Sequence, residues 1–302
     1  MNTNSFKYFV AAISAVVIWG VFAIPLRHLQ AYSPEQILSH RTFISFALTW
    51  GFILLFRKKH IRADIAYLKQ ENAISRKKIG WLVLAGGLLL GINWLSFIYV
   101  VNHVNLKSAA FAYMVCPIVT AIGGFFILKE QLSRLKVIAV GIALMSIIIS
   151  AQGSLTDVLW AIFIAASFAF YLIVQRVIVK LDKINLLGIQ LGIIGLLVLP
   201  IFLYQPQLFP LELNFWANIL AIAVLFTVIP LLLSSYSLIG LPSSTFGIII
   251  YLNPIISFAT AFAYFNEEIK REQLYAYSLL FASVVIFNWD VIRGFFNKKA
   301  IQ

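Results

Sequence analysis

The chain has 302 residues, of which 62% are hydrophobic and only 11% are charged. Soluble domains are nearer half apolar and a quarter charged, so this composition excludes a soluble globular protein. The net charge of +12 is placed in loops, which argues against a nucleic-acid partner, and the single cysteine, Cys116, excludes a disulfide framework and a cysteine-based metal site.

Apolar windows of roughly twenty residues, the length that a helix needs to cross a bilayer, recur along the whole chain. The first window is too long for a signal-peptide core and has no small-residue cleavage site after it, so we interpret it as a retained span. Ten spans are predicted, and the fifth is short. Their bounds are Tyr8–Leu26, Glu35–Phe56, Ile79–Val101, Ser108–Leu128, Val137–Ser150, Leu155–Val179, Leu186–Tyr204, Trp216–Ile239, Ser243–Phe265 and Leu274–Ile292.

Basic residues in the connections predict the orientation of the spans, because retained Lys and Arg mark the cytoplasmic side. The connections are short except for Arg57–Lys78, which carries eight basic residues. With the N-terminus inside, eighteen basic residues lie in cytoplasmic segments, and only Arg27, Lys107, Lys270 and Arg271 lie outside. Both termini are therefore predicted to be cytoplasmic.

The second span contains Arg41, a basic residue with no loop in which to lie. It follows Glu35 by six residues, which is roughly 9 Å along the helix axis. Inserting a guanidinium at such a position in the membrane costs a free energy of about 2.5–3.5 kcal/mol. Such residues usually face a bundle interior or a wet cavity, and the fork of donors suits a carboxylate or phosphate. Alternatively, Arg41 reaches the outer interface or braces the fold. Because Glu35 lies on another face, we expect a partner from another span or from a ligand.

His40 adjoins Arg41 and is either a pH-sensitive member of the same site or an uncharged structural histidine. Weaker candidates for residues that line a substrate path lie in other spans. Trp94 in the third span and Thr227 and Pro230 in the eighth are weak candidates of the same kind. The candidates are Asn93 in the third span, Tyr113 in the fourth, Tyr171 and Gln175 in the sixth, and Tyr251 and Asn253 in the ninth. Polar side chains also bond helix to helix, so each has a structural alternative.

Two segments in the fourth and ninth spans repeat one another. PIVTAIGGFFILKE (Pro117–Glu130) aligns without a gap with PIISFATAFAYFNE (Pro254–Glu267), and a short polar stretch and a last apolar segment follow each. Such a repeat indicates a duplicated unit of five spans, although apolar helices also resemble one another by chance. Because five is odd, the halves, residues 1–152 and 153–302, are predicted to be inverted, with a substrate site near the midplane where they meet.

The two glutamates that close these segments lie at span ends, where a carboxylate stabilises a helix N-terminus. We therefore favour a structural role for Glu130 and Glu267 over substrate binding. Pro117 and Pro254 are predicted to kink their helices, leaving a carbonyl for another partner.

Sequence motifs of enzymes are missing: there is no Walker A loop, HExxH, GxGxxG, GxSxG or paired-Asp motif. No Asp or Glu lies at a mid-membrane position, so a carboxylate proton relay is unsupported, which leaves His40 or no proton coupling. We expect no enzymatic activity, no metal and no cofactor.

Four stretches carry a resemblance to RarD-type proteins of the EamA family, in the drug/metabolite transporter superfamily. Glu35-Gln-Ile-Leu-Ser-His40-Arg41 resembles the E-I-L-x-H-R element of the family, and Asn93–Asn102 resembles N-W-x-x-[FY]-I-x-x-V-N; Ser167–Tyr171 and Thr227-Val-Ile-Pro230 are similar to matching stretches. The resemblance covers nearly the whole chain. It implies an all-α permease of the bacterial inner membrane, with ten helices in two EamA repeats. Phe226 stands where the family commonly has glycine, which leaves the substrate open.

The leading hypothesis is a secondary transporter that moves a small metabolite or drug outward by alternating access between inverted halves. Arg41 would bind an anionic group of the substrate, assisted by His40. Uptake of an essential metabolite such as S-adenosylmethionine or an amino acid is the second hypothesis. A non-transporting assembly or regulatory partner is the alternative from another class. The expected partners are a small molecule and the lipid bilayer, without nucleic acid, and a homodimer stays open as the oligomeric state.

Overall fold

A computed structural model of the protein describes residues 3–129, 133–178, 180–204, 209–240, 249–250, 252–268, 270–289 and 293. The regular structure in these residues is entirely helical, with a π-helical turn, Val224–Val228, between the tenth and eleventh α-helices. The α-helices are α1 Thr3–Gly20, α2 Ala23–Arg27, α3 Pro34–Phe56, α4 Lys58–Gln70, α5 Ala73–His103, α6 Leu106–Leu128, α7 Arg134–Gly153, α8 Leu155–Val177, α9 Lys183–Leu203, α10 Leu213–Ala223, α11 Ile229–Gly240, α12 Leu252–Ala263 and α13 Arg271–Phe287.

Seven helical stretches in the described part of the chain are long and apolar enough to cross a membrane, so the protein is an integral membrane protein. They are Phe6–Arg27, Pro34–Phe56, Ala73–His103, Leu106–Leu128, Leu155–Val177, Lys183–Leu203 and Leu213–Ser234. The predicted fifth span corresponds to α7, which is longer than expected because it includes the polar residues Arg134 and Lys136. The ninth predicted span begins outside the described residues, and α12 is its described part.

Side-chain caps fix where several of these helices begin. Ser33, Asn105 and Ser133 each accept a hydrogen bond from a backbone N–H in the first turn of the helix that follows. Asp182 accepts two such bonds at the start of α9. A cap of this kind is worth about 1 kcal/mol, so the ends of apolar helices are specified by single polar residues.

The helices form two compact units, and each unit takes segments from both halves of the sequence. The first unit comprises Met1–Ile24, His103–Ala166 and Ile229–Gln302, and the second comprises Pro25–Asn102 and Ser167–Val228.

In the second unit, α3 packs against α9 through aromatic rings that lie on glycines. A Cβ on the glycine would lie 3.2 Å from Trp50 at Gly188, 3.2 Å from Phe46 at Gly192 and 3.5 Å from Phe43 at Gly195. Glycines later in α9 contact aromatic residues earlier in α3, so the two helices are antiparallel. Small residues at the contact let the backbones approach closely, as is common between membrane helices.

In the first unit, α7 and α13 are joined by two reciprocal hydrogen bonds. The Ser146 hydroxyl donates to the Ala276 carbonyl at 2.6 Å, and the Ser283 hydroxyl donates to the Ala139 carbonyl at 2.7 Å. Ala276 follows Ala139, and Ser283 follows Ser146, by the offset that separates Pro117 from Pro254. Shifting each residue by this offset therefore exchanges the two contacts.

Glu267 stabilises a helix N-terminus, as predicted, although the helix is not the next one in the chain. Its carboxylate accepts the Leu106 N–H at 2.9 Å and the Lys107 N–H at 3.2 Å, at the start of α6. Glu130 lies outside the described residues. Pro117 lies inside α6, whereas Pro254 lies in the first turn of α12, and the predicted kinks stay predictions.

The connection Arg57–Lys78 contains a helix that the sequence analysis did not anticipate. Within α4, Asp64 accepts the backbone N–H of Asp182 at 3.0 Å and the side-chain amide of Asn185 at 2.7 Å. Arg57 adds an ion pair to Asp182 at 2.6 Å. The helix was missed because it is too polar for a span, and these contacts hold it against the start of α9.

Candidate functional site

Arg41 lies inside the second unit and is only 5% exposed. Its Nε–H donates to Thr227 Oγ1 at 3.3 Å, and its guanidinium carbon lies 3.8 Å from the centre of the Trp94 ring. Arg41 follows the first residue of α3 by seven positions, so it lies about 10 Å along the helix. The expectation that its partner comes from another span is met twice, from α5 and from the π-helical turn.

Thr227 belongs to the turn Val224–Val228, where the backbone widens from α to π geometry. Its hydroxyl donates back to the Ile222 carbonyl at 2.9 Å, so the oxygen keeps its lone pairs for the Arg41 donor. Pro230 follows the turn and has no N–H to continue the α-helical hydrogen bonds, which accounts for the local change of geometry. Single π turns inside helices occur frequently at functional sites.

The face of α3 that carries Arg41 is polar along two further turns. Ser45 and Thr49 follow Arg41 at four-residue steps, and Thr42 lies beside it; all three are buried. The hydroxyls of Thr42 and Ser45 have no hydrogen-bond partner among the described residues. A polar stripe of this kind inside a membrane span suits the lining of a polar path better than contact with lipid.

His40 lies in an aromatic environment on the adjacent face of α3. Its ring centre is 5.2 Å from that of Phe202, 5.0 Å from that of Phe215 and 5.6 Å from that of Trp216, all edge-on. Nδ1 lies 2.8 Å from the Gln36 carbonyl, one turn earlier, so this nitrogen carries the proton. This packing favours the structural interpretation of His40, which would hold the turn that presents Arg41.

A second polar cluster connects α8 with α9. The half-buried Gln175 donates from Nε2 to Gln190 Oε1 at 2.9 Å, and Tyr171 lies one turn before Gln175 on α8. Gln190 is fully buried, and a Cβ at Gly86 of α5 would lie 2.3 Å from its amide nitrogen. Glycine at position 86 therefore provides the space that the Gln190 side chain occupies.

The remaining candidates are divided between the two units. Asn93 is buried in α5 beside Trp94 and donates to Ser167 at 3.4 Å, in the same unit as Arg41. Tyr113 on α6 and Asn253 on α12 belong to the first unit, where these two helices pack together. Tyr251 lies outside the described residues.

The sequence analysis missed Gln190, since a single glutamine in an apolar helix is common. One signal points to it in retrospect. Ser33 and Asp182 are the N-caps of α3 and α9, and Arg41 and Gln190 each lie eight positions after their cap. The two polar residues therefore lie at the same distance from the capped start of their helices. Among the described residues, no cluster of three His, Cys, Asp or Glu side chains could hold a metal ion.

Apolar helices of this length define the chain as an integral membrane protein. The chain belongs to the EamA-like transporter family, whose model matches twice, over residues 6–152 and 155–289. It is accordingly a membrane transporter and not an enzyme.

Relatives of similar length support this assignment. An uncharacterized transporter of Vibrio cholerae is 29% identical over 95% of this chain and 94% of its own. Uncharacterized transporter YojE of Bacillus subtilis is 28% identical, with 92% of each chain covered, and Protein RarD of Escherichia coli is 25% identical, with 93% of each covered. A solved crystal structure that covers 95% of this chain and 98% of its own agrees in fold, with a TM-score of 0.62 at 15% identity.

Proposed function

We propose that this transporter is a secondary permease of the bacterial inner membrane that moves a small anionic metabolite or drug outward. The observation that carries the proposal is the guanidinium of Arg41, buried in a span and oriented by a hydroxyl and an aromatic ring. The guanidinium fork matches the geometry of a carboxylate or phosphate group. Uptake of a carboxylate-bearing metabolite, such as S-adenosylmethionine or an amino acid, would use the same residue and is the second hypothesis.

The permease is proposed to have ten spans in two inverted halves, residues 1–152 and 153–302, with both termini in the cytoplasm. The reciprocal serine bonds between α7 and α13 support this arrangement. Ser146 contacts Ala276, and their counterparts in the other half, Ser283 and Ala139, contact each other in the same way. Such reciprocal contacts are the mark of a two-fold axis between the two helices. The helices run antiparallel, so the axis is perpendicular to them and lies in the membrane plane.

The pair of α3 and α9 supports the same symmetry independently. Phe43 lies on Gly195 and Phe46 lies on Gly192. The step along the sequence that takes Ser33 to Asp182 also takes Phe43 to Gly192 and Phe46 to Gly195, so each contact is converted into the other. Under this operation, Arg41 is equivalent to Gln190. One half therefore offers a cation at this position and the other half offers an amide.

Inverted halves of this kind move substrates by rocking around a central site. In the proposed mechanism Arg41 binds the anionic group, and His40 supports it through the first turns of α3. Asn93, Tyr171 and Gln175 would contact the uncharged part of the substrate, with Gln190 added from the structure. Tyr113, Tyr251 and Asn253 are proposed to line the path as well.

A ligand-dependent thermal shift of the purified protein tests the role of Arg41. The panel comprises amino acids, nucleoside derivatives and chloramphenicol, each added to the wild type, Arg41→Gln and Arg41→Lys. We expect an anionic compound to raise the wild-type Tm, because a ligand that binds only the folded state stabilises it. Arg41→Gln should lose this shift and Arg41→Lys should keep part of it. An unchanged shift in Arg41→Gln would remove Arg41 from the site.

A further inference from the structure

The segment that follows α3 presents a continuous basic surface. We define the basic surface as the exposed cations of α4 and of the first turns of α5: Lys58, Lys59, Arg62, Lys69, Arg76, Lys77 and Lys78. All of these side chains are exposed, although the segment also contains acidic residues.

The two acidic residues of this segment are turned toward the protein. Asp64 bonds to Asp182 and Asn185 near the start of α9. Glu71 lies 3.7 Å from the Lys180 ammonium, and its side chain is 24% exposed. The electrostatic potential on the outer side of this segment is therefore set by its exposed Lys and Arg side chains.

Apolar side chains next to the basic surface place it at the edge of the membrane. Phe56, the last residue of α3, is 74% exposed, and Trp81, in the first turn of the apolar part of α5, is 62% exposed. On α4 itself Ile65 is 48% exposed, beside Arg62 and Lys69. Since only Arg57 separates α3 from α4, the helix α4 begins where the span ends.

We propose that the basic surface of α4 binds the headgroups of anionic phospholipids in the surrounding leaflet. Clusters of four to eight Lys and Arg immediately next to a membrane span attract anionic lipid headgroups. The charge complementarity and the exposed apolar rim select a lipid headgroup over a soluble polyanion, which would make no use of Ile65, Phe56 or Trp81. The site is separate from Arg41 and does not depend on which compound is transported.

Lipid binding to the full-length protein in detergent tests this proposal. Native mass spectrometry follows titration with dioleoylphosphatidylglycerol or with dioleoylphosphatidylcholine. The triple variant Lys58→Gln/Arg62→Gln/Lys69→Gln removes three charges from α4. Each charge near an anionic surface changes affinity by about fivefold, so phosphatidylglycerol should bind the variant at least about tenfold more weakly. Salt of about 1 M, where the Debye length is about 3 Å, should weaken wild-type binding in the same direction.

Two matched variants separate the basic surface from general charge effects. Lys58→Arg/Lys69→Arg keeps the charge and should bind phosphatidylglycerol like the wild type. Lys7→Gln/Arg134→Gln/Lys136→Gln removes three charges elsewhere on the side predicted to be cytoplasmic and should also bind like the wild type. Equal binding of both lipids, full binding by the α4 triple variant, an equal loss in the distant variant, or displacement by inorganic phosphate at the same concentration would each overturn the proposal.

Discussion

Arg41 is a charged residue whose position depends on two neighbours from distant parts of the sequence. Thr227 receives its Nε–H, and Trp94 covers one face of its guanidinium. A cation over an aromatic ring gains about 2 kcal/mol or more when both are desolvated. These contacts orient the guanidinium plane, which is what recognition of a planar anion requires.

Replacing Thr227 with valine tests this positioning at the scale of one oxygen atom. Thr227→Val keeps the shape of the side chain and removes the acceptor of the Arg41 Nε–H. A hydrogen bond to a charged group contributes about 1.5–3 kcal/mol, so we expect affinity for an anionic ligand to fall by at least about tenfold. Isothermal titration calorimetry or the ligand-dependent Tm shift measures the change.

Thr260→Val is the matched control, because the Thr260 hydroxyl also donates to a backbone carbonyl one turn earlier, at 2.9 Å, but makes no described contact with Arg41. This variant should keep its ligand affinity. If both variants weaken binding equally, the bond to Arg41 has no special role.

Sequence reasoning found Arg41 but neither its contacts nor Gln190, for a physical reason. A guanidinium inside an apolar span is conspicuous, since it has a high cost wherever it lies. The pairing of Arg41 with Thr227 joins positions 186 apart and depends on how the helices pack. Gln190 has a modest cost in an apolar helix, so its importance emerges only from its burial against Gly86 and Gln175.

At the scale of helices, the bonds between α7 and α13 make a quantitative prediction about symmetry. Ser146→Ala and Ser283→Ala each remove one of two equivalent bonds. Interhelical bonds in membrane proteins average about 0.6 kcal/mol, so each variant should lower the free energy of unfolding by a similar small amount. Thermal unfolding in detergent measures the two effects.

The double variant should lose roughly the sum of the two effects, since the serines have separate partners. Ser278→Ala on the exposed face of α13 is the control and should be neutral. A large loss in one single variant with none in the other would show that the two contacts are not equivalent.

The carboxylate of Glu267, in the segment that follows α12, supports the start of α6 in the same unit. Glu267→Gln removes the negative charge that faces two backbone N–H groups at a helix N-terminus, so we expect a loss of about 1 kcal/mol. Glu268→Gln changes the neighbouring exposed side chain and should leave the Tm unchanged. If Glu267→Gln is equally neutral, the cap contributes little to stability.

Helix positions were largely predictable because apolar length specifies them, whereas α4 was not. The bounds of α3 and α6 agree with the prediction to within two residues at each end. The helix α4 has no apolar run, and it is held by Asp64 and Arg57 through contacts with the start of α9. Polarity therefore identified the segment as outside the membrane but could not show that it is helical.

For the whole molecule, the proposed transport mechanism requires two inverted halves and the buried guanidinium of Arg41. The repeat of Pro117–Glu130 in Pro254–Glu267 gave the first indication, and the paired contacts of α7 with α13 and of α3 with α9 support it in structure. In the proposed inverted arrangement Arg41 corresponds to Gln190, so the proposed symmetry is broken at the residue that we propose binds the substrate. A transporter built in this way would use one charged contact throughout the cycle.

Counterflow in proteoliposomes tests directly whether the protein transports an anionic compound and whether transport requires Arg41. Vesicles that contain the wild type, Arg41→Gln or Arg41→Lys are loaded with one unlabelled compound from the panel and diluted into its labelled form. We predict transient accumulation of an anionic compound by the wild type, partial accumulation with Arg41→Lys and none with Arg41→Gln, although all three proteins are folded. Accumulation by Arg41→Gln at the wild-type rate would contradict the proposed role of Arg41 in transport.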